Sequence, residues 1–285
     1  MELSTEAARR LIAEQFPQWK QLPIRPVAKS GHDNRTFHLG DRMAVRLPSA
    51  ARYASQAEKE LRWLPYLQQH LDYPISHPVA AGKPTAYYPF PWSVNLWIEG
   101  DTLLSSSGME QVRLAGELAS ALRQLQAVDC REGPKAGQQN FYRGGELTVY
   151  HAQTQEALHA LREELPAQEL GRIWERCIAQ PYTGPAVWVH GDVAPGNILL
   201  RDGRFYALID FGVLGTGDPA CDYAMAWTYF AEPARGVFLD GLPRSMVNRA
   251  RGWALWKALI TYHDENPDFR ENARYTLRAI LTEQD

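Results

Sequence analysis

Three polar residues lie close together in the second half of the chain, each at the end or start of a short apolar run. They are Asp192, Asn197 and Asp210. Buried strands would hold such residues in polar loops, which is where reaction sites are usually built. Carboxylate and amide oxygens suit Mg²⁺ rather than a thiolate-preferring metal, so Asn197 and Asp210 are candidate metal ligands. Asp192 has no evident metal partner in its own loop, so we expect it to orient a hydroxyl or accept its proton.

The segments around these residues predict short strands joined by tight loops. Two apolar runs, Val187–Val189 and Ile198–Leu200, flank the polar loop His190–Asn197. Residues 201–204 have the composition of a hairpin turn, and Phe205–Ile209 is the returning strand. The predicted order is therefore strand, loop, strand, turn, strand.

The spacing of the three residues is the strongest signal in the sequence. Asp-x4-Asn, followed by Asp-Phe-Gly thirteen residues after the Asn, is the arrangement of the protein-kinase catalytic loop and its metal-binding Asp. Here the loop reads His190-Gly191-Asp192 rather than His-Arg-Asp. His-Gly-Asp-x4-Asn together with Ile-Asp-Phe-Gly resembles the aminoglycoside phosphotransferase family, the small-molecule branch of the kinase-like fold. The resemblance spans nearly the whole chain and is most specific over residues 187–222.

The resemblance implies an α+β, bilobal, protein-kinase-like fold. Residues 1–98 are expected to form an antiparallel-sheet lobe that binds nucleotide. Residues 99–285 are expected to form a mainly helical lobe with the catalytic and substrate-binding residues. Asp222 resembles the residue that braces the catalytic loop in this family.

The composition is that of a globular protein with no marked affinity for polyanions. The chain has 285 residues, of which 45% are hydrophobic and 22% charged, and its net charge is −3. This charge gives no reason to expect nucleic acid or an anionic membrane as a partner. The three cysteines suggest no disulfide framework, and no apolar run approaches membrane-spanning length. We expect a cytoplasmic protein without a protein partner.

The N-terminal third contains the candidate phosphate-binding residues. Residues 24–48 predict strands joined by hairpin turns, and the resemblance implies that the loop holding Ser30 and Asn34 covers the nucleotide phosphates. The resemblance implies that Arg46 takes the position of the cation that binds the phosphates, and an Arg can bind phosphate through two nitrogens. Glu60 on the following helix is its expected partner. Glu58 is the competitor, but Glu60 lies beside the apolar stripe of that helix.

The segment after residue 91 predicts the hinge between the lobes and the nucleobase site. An apolar strand that begins at Trp92 ends at Glu99-Gly100. In kinase-like proteins the backbone at this point binds the base, and the resemblance implies that Asn95, Trp97 and Ile98 do so here. Because the backbone reads the base, both ATP and GTP stay open as donors.

Helices are predicted over most of the remaining chain. Their expected ranges are 7–16, 53–71 with an interruption or restart at Pro65, 109–128, 147–164, 168–179, 243–265 and 269–282. A short strand is also expected at Ala86–Tyr88. Trp253, Trp256 and Leu259 are expected in the core.

The predicted reaction is Mg²⁺-dependent transfer of the γ-phosphoryl group of ATP or GTP to a hydroxyl of a small molecule. An aminoglycoside-type antibiotic is the first expectation for the acceptor, and acidic residues 264, 265, 268 and 271 favour a cation. A macrolide or a small metabolite such as an amino alcohol or sugar also fits, and Trp227, Tyr229 and Phe230 favour something bulkier. A nucleotide-binding pseudokinase scaffold is the non-enzyme alternative. A protein kinase is disfavoured by His-Gly-Asp and by the absence of an Ala-Pro-Glu segment.

Overall fold

The computed structural model describes residues 3–27, 31, 33–106 and 108–283. Within these ranges the chain forms an antiparallel sheet followed by a mainly helical part, as expected for the bilobal α+β kinase-like fold. The strands are β1 (Ile24–Pro26), β2 (Asn34–Leu39), β3 (Met43–Pro48), β4 (His77–Gly82), β5 (Trp92–Leu96), β6 (Asp101–Thr102), β7 (Val187–Val189), β8 (Ile198–Arg201), β9 (Arg204–Leu208) and β10 (Gly215–Gly217). The helices are α1 (Thr5–Gln15), α2 (Ala54–Gln68), α3 (Gln111–Ala127), α4 (His151–Ala160), α5 (Ala167–Ile178), α6 (Met225–Thr228), α7 (Ala234–Leu239), α8 (Arg244–Ile260) and α9 (Pro267–Thr282).

The first five strands form one sheet in the order β1-β2-β3-β5-β4, with every neighbouring pair antiparallel. Successive side chains of a strand point to opposite faces of the sheet. Val45 and Val94 accordingly pack into a core with α1. Arg46 and Asn95 lie on the other face, which looks toward the C-terminal lobe. The alternation thus places a cation and an amide on the face that borders the cleft between the lobes.

The catalytic segment lies on two small antiparallel pairings in the C-terminal lobe. Strand β7 pairs with β10, and β8 lies between β6 and β9. Gly191 has a φ of +85°, which only glycine adopts freely, and this lets the chain turn sharply after β7. The predicted order of strand, loop, strand, turn and strand is therefore confirmed.

A direct hydrogen-bonded contact links the two lobes away from the hinge. Ile75 forms a parallel bridge with Leu208, and the Leu208 N–H donates to the Pro74 carbonyl at 3.2 Å. The Asp210 N–H donates to the Ser76 hydroxyl at 3.2 Å. The segment just before β4 is thus held against the end of β9.

The larger hydrophobic core contains side chains that precede residue 98, the predicted boundary between the lobes, and side chains that follow it. Leu64, Leu67 and Ile75 belong to the same buried cluster as Leu118 and Trp227. The smaller core lies between α1 and the sheet. The boundary at residue 98 stays a prediction, and the packing shows that α2 is anchored in the larger core.

Two local predictions were wrong. Helix α2 runs through Pro65 without interruption. Residues 86–88 form no strand, because the Thr85 N–H donates to the Tyr88 carbonyl and the Tyr88 N–H donates to the Thr85 hydroxyl, which closes a turn. Pro84 and Pro89, which lack the N–H that a strand requires, flank this turn.

The state of the cysteines and the search for a membrane-spanning helix bear on two further predictions. Cys130, Cys177 and Cys221 are free thiols. In the described ranges no helix is both long enough and apolar enough to cross a membrane.

Candidate active site

The catalytic loop is held by Asp222, which lies after β10 and is fully buried. Its two oxygens accept the N–H of His190 at 2.8 Å and the N–H of Gly191 at 2.7 Å. Burial raises the pKa of Asp222, while His190 and these two N–H donors oppose the rise. The bracing role that the resemblance implied for Asp222 agrees with this geometry.

His190 holds the catalytic loop in place from within the core. It is fully buried, and its Nε2 lies 3.0 Å from the carbonyl of Ile209. Because a carbonyl can only accept, Nε2 carries the proton, and Nδ1 is left to accept the N–H of Asp192 at 3.2 Å. The ring also packs against Phe211, with the ring centroids 4.4 Å apart. One side chain therefore ties the catalytic loop to the strand that carries Asp210.

Asp192 and Asn197 are joined directly. The Nδ2 of Asn197 donates to the backbone carbonyl of Asp192 at 2.9 Å and to its Oδ2 at 3.0 Å. The backbone carbonyl of Asn197 accepts the N–H of Ile209 at 3.0 Å, which aligns the loop with the end of β9. Asp192 is exposed to solvent. Its Oδ1 and the Oδ1 of Asn197 have no hydrogen-bond partner among the described residues, so both are available to a ligand.

Asp210 follows β9 with a φ of +63°, a conformation that L-residues other than Asn and Asp seldom adopt. Its Oδ1 lies 2.7 Å from Nη2 of Arg46. The following Phe211 is fully buried, and a Cβ on Gly212 would lie 2.7 Å from Oε1 of Gln56. This packing fixes the direction of the Asp210 side chain.

Arg46 binds two carboxylates at once. Its Nη1 lies 2.9 and 2.8 Å from the oxygens of Glu60, while Nη2 reaches Asp210. Burial alone would lower the pKa of Arg46, but the two carboxylates outweigh it and raise that pKa above its usual value. Burial raises the pKa of Glu60, against the attraction of Arg46. Glu60 rather than the exposed Glu58 is thus the partner of Arg46.

The loop that should cover the phosphates is only partly described. Ser30 lies outside the described residues. Asn34 is buried and donates to Oε1 of Gln56 at 3.4 Å, and Nε2 of Gln56 donates to Asp33 at 3.1 Å. The Asn34 amide therefore already bonds to the protein, and its role toward nucleotide stays a prediction.

The predicted base site lies at the end of β5. Asn95 is 4% exposed, and its Oδ1 is buried without a hydrogen-bond partner in the described part of the chain. The Trp97 N–H donates to the Arg42 carbonyl at 2.8 Å, and its ring packs on His38 with the centroids 4.2 Å apart. Ile98 forms no backbone hydrogen bond to the described residues. The role of Asn95, Trp97 and Ile98 toward the base stays a prediction.

Two cations near Asp192 have no counterpart in the sequence motifs. Arg143 donates from Nε to the Gly191 carbonyl at 2.8 Å, and its guanidinium lies over the rings of Trp253 and Trp256. Lys257 is the next residue of α8 and is exposed. The one sequence signal that could have pointed to Lys257 is that it is a lone lysine inside the apolar run of α8.

Some predictions about the acceptor side are corrected by the packing. Trp227 and Phe230 are fully buried in the core, so they supply no pocket surface. Trp253, Trp256 and Leu259 are buried as predicted. Glu265, just before α9, and Asp268 and Glu271, in the first turns of α9, are exposed.

Comparison with known proteins decides the family. Residues 24–259 match the family model APH, described as the phosphotransferase enzyme family. The chain belongs to the phosphotransferase enzyme family. No curated protein matches its sequence.

Solved structures of phosphotransferases share the fold. A GDP complex of wild-type aminoglycoside 2'-phosphotransferase-IIIa is 17% identical with a TM-score of 0.73, covering 98% of this chain and 99% of its own. The streptomycin–ATP ternary complex of APH(2")-IIa is 18% identical with a TM-score of 0.61, covering 100% and 98%. Macrolide 2'-phosphotransferase MphH from Brachybacterium faecium is 21% identical with a TM-score of 0.62, covering 98% and 99%. At these identities the likeness establishes the phosphotransferase fold.

Proposed function

We propose that this protein transfers the γ-phosphoryl group of ATP or GTP to a hydroxyl group of a small molecule. The observation that carries the proposal is one cluster of polar groups around the cleft. Asp192 and Asn197 are bonded to each other, and Asp210 is bonded to the buried Arg46–Glu60 pair. Surface loops with incidental acids would not be braced by buried groups such as His190 and Asp222. Because all of the expected polar residues are present and held by buried groups, a pseudokinase scaffold is disfavoured.

Asp192 is the residue that meets the acceptor. Its exposed carboxylate would accept the proton of the acceptor hydroxyl as the hydroxyl oxygen forms a bond to the γ-phosphorus. The bond between that phosphorus and the β–γ bridging oxygen breaks, and the nucleoside diphosphate leaves. Asn197 holds the Asp192 carboxylate in one orientation through its Nδ2. Positioning and charge neutralisation supply most of the rate in such transfers.

Arg46 is placed to bind nucleotide phosphates. Glu60 fixes Nη1, so Nη2 faces the cleft, where it meets Asp210. A guanidinium forms charge-assisted hydrogen bonds with phosphate oxygens and cannot lose its proton at neutral pH. We assign Arg46 to the α- and β-phosphates.

The residues present fit Mg²⁺. The described residues contain no cluster of three His, Cys, Asp or Glu side chains that could enclose a metal. Mg²⁺ in phosphoryl-transfer sites usually takes only one or two protein oxygens and fills its remaining positions with phosphates and water. Asn197 Oδ1 and the second oxygen of Asp210 would hold it. When bound, Mg²⁺ neutralises charge on the phosphate oxygens.

The acceptor is a separate question. Solved relatives carry aminoglycosides, including kanamycin and streptomycin, and others are macrolide phosphotransferases. These names support an antibiotic-like acceptor.

The experiment measures nucleotide binding and transfer separately. Mg²⁺ with ATP, or Mg²⁺ with GTP, should raise the melting temperature of the purified protein, since a ligand stabilises the state it binds. Transfer of labelled γ-phosphate is then followed over aminoglycosides, macrolides, sugars, amino alcohols and hydroxy acids. Asp192→Ala should abolish transfer and keep the nucleotide shift, while Asp202→Asn in the β8–β9 turn should change neither. No shift with either nucleotide, or full transfer by Asp192→Ala, would contradict the proposal.

A further inference from the structure

Helix α2 carries two buried polar side chains on the face that meets the C-terminal lobe. Gln56 and Glu60 are each 2% exposed, and their spacing of four residues places them on the same side of the helix. Glu60 holds Arg46, which reaches Asp210. Burying an amide costs free energy unless its donor and acceptor are bonded, so the partners of Gln56 indicate what its burial achieves.

The amide of Gln56 binds the residues at the start of β2. Its Nε2 donates to Oδ2 of Asp33 at 3.1 Å, and its Oε1 accepts from Nδ2 of Asn34 at 3.4 Å. The hydroxyl of Tyr53, just before α2, also bonds to Asp33. The backbone carbonyl of Asp33 accepts the N–H of Ser49, just after β3, at 2.8 Å. The start of β2 is thus docked on α2 through its side chains.

The same amide packs on the turn that follows Asp210 in the other lobe. A Cβ added to Gly212 would lie 2.7 Å from Oε1 of Gln56 and 2.8 Å from its Cδ, closer than real Cβ atoms come. The α-carbon of Gly212 therefore lies directly against the amide, and only glycine leaves room for this approach. Gln56 thus contacts the C-terminal lobe two residues after the candidate metal ligand Asp210.

Asp33 places a negative charge directly after the segment that is expected to cover the nucleotide phosphates. A carboxylate and phosphate oxygens repel each other, and the repulsion grows where water is excluded. The hydrogen bond from Gln56 directs the Asp33 carboxylate at α2 and offsets part of its charge. Without this donor the carboxylate would be free to turn toward the phosphates.

We propose that Gln56 is a positioning residue for the nucleotide phosphates. It acts through Asp33 and through the turn at Gly212 rather than by contact with the reacting atoms. The inference rests on the proposed phosphoryl transfer, which supplies the nucleotide. Helix α2 then sets the phosphate site twice, because Glu60 orients the cation while Gln56 orients the start of β2 and the turn after Asp210.

The test compares a nucleoside diphosphate with Mg²⁺ against the nucleoside alone, with the base that the wild type prefers. Apparent affinities come from melting-temperature titrations of the wild type, Gln56→Met, Gln56→Glu and Asp33→Asn. Both Gln56 variants are also combined with Asp33→Asn. Gln18→Met and Gln18→Glu make the same changes at an exposed position of the N-terminal lobe.

Gln56→Met removes both hydrogen bonds without a change of charge. It should weaken binding of the diphosphate about tenfold and leave binding of the nucleoside unchanged. Gln56→Glu places a second carboxylate against Asp33 and should weaken diphosphate binding at least as much. Adding Asp33→Asn should restore binding to Gln56→Glu, because the amide at position 33 then donates to the carboxylate at position 56. It should not restore binding to Gln56→Met, which offers no acceptor, and the Gln18 variants should bind like the wild type.

Three results would overturn the inference. Unchanged diphosphate binding in Gln56→Met would remove the role, and an equal loss of nucleoside binding would show a general distortion of the lobe. Equal restoration of both Gln56 variants by Asp33→Asn would show that only the charge of Asp33 matters. The wild-type response to the diphosphate reports on the proposed function itself. Its absence contradicts phosphoryl transfer, whereas its presence with unaffected Gln56 variants contradicts only the positioning role.

Discussion

Arg46 and Asp210 are 164 residues apart in the chain and 2.7 Å apart in space, between Nη2 and Oδ1. This contact ties the third strand of the N-terminal lobe to the end of β9. It works only because Glu60 takes the other nitrogen of the same guanidinium. One buried cation thus organises carboxylates from both lobes.

The first prediction concerns Glu60. Glu60→Gln removes the buried one of the two carboxylates that balance Arg46, and breaking a buried pair commonly costs about 3–5 kcal/mol. We expect the lower end, because Asp210 still pairs with Arg46. We also expect nucleotide affinity to fall about tenfold, since Arg46 moves toward Asp210. Urea unfolding and nucleotide titration measure the two effects.

Glu58→Gln is the matched control, since it makes the same change on an exposed position of the same helix. It should leave both quantities within about 0.5 kcal/mol of the wild type. Equal effects of the two substitutions would mean that charge at this end of α2, and not the pair with Arg46, is what matters.

Asp222 gives the second prediction. Asp222→Asn keeps the shape of the side chain but replaces one of the oxygens that accept from His190 and Gly191 with a donor. An unsatisfied buried donor costs about 1–3 kcal/mol, so stability should fall by that amount. Transfer should slow at least tenfold while nucleotide affinity is kept, because the loop carries Asp192 and not the phosphates. Asp240→Asn at an exposed position is the control, and an unchanged transfer rate in Asp222→Asn would exclude the bracing role.

The third prediction uses the orphan carbonyl of Asn95. Leaving a buried acceptor without a partner costs free energy, so Asn95→Leu should not destabilise the nucleotide-free protein. If the amide reads the base, the same substitution should weaken binding of the preferred nucleotide about tenfold and reduce the preference between ATP and GTP. Calorimetric titration with both nucleotides decides this. Destabilisation with unchanged nucleotide binding would make the amide a structural group.

The fourth prediction is a pH dependence at Lys59. Its Nζ is buried without a partner in the described ranges, and burial lowers the pKa of Lys59 to about 8, against the attraction of Glu60. The unfolded chain therefore binds more protons between pH 8 and about 10.5, so stability rises with pH across that window. Below about pH 8, Lys59 is charged in the folded protein, and burying this charge lowers the free energy of unfolding by an amount on the order of 3 kcal/mol.

Lys59→Met keeps the apolar stem and removes the charge. The variant should be more stable than the wild type at about pH 7, and the difference should shrink toward about pH 10. Urea unfolding at both pH values measures it, with Lys20→Met as the exposed control. A difference that stays constant with pH would show that Lys59 keeps its ordinary pKa in the folded protein.

The sequence was informative where function depends on short stretches of chain. Asp192, Asn197 and Asp210 follow from spacing, because a strand, a loop and a hairpin fix their relation locally. Glu60 could be chosen over Glu58 because the apolar stripe of one helix decides which side faces the sheet.

The groups that sequence analysis missed come from distant segments. Arg143 meets Trp253 and Trp256 only after more than a hundred residues of chain have folded back, and no spacing rule links them. Trp227 and Phe230 were misassigned for the same reason, since an aromatic residue fits a pocket or a core equally well in sequence. Only tertiary packing separates the two.

The bridge between Ile75 and Leu208 acts as a pivot. Any rotation of the lobes that preserves its hydrogen bonds must turn about a line through this bridge and the covalent hinge. The Asp210 N–H donates to the Ser76 hydroxyl, close to that line. A rotation about the line therefore changes the distance between Asp210 and Arg46 only a little. We therefore expect small rotations of one lobe against the other to leave the contact between Arg46 and Asp210 nearly unchanged.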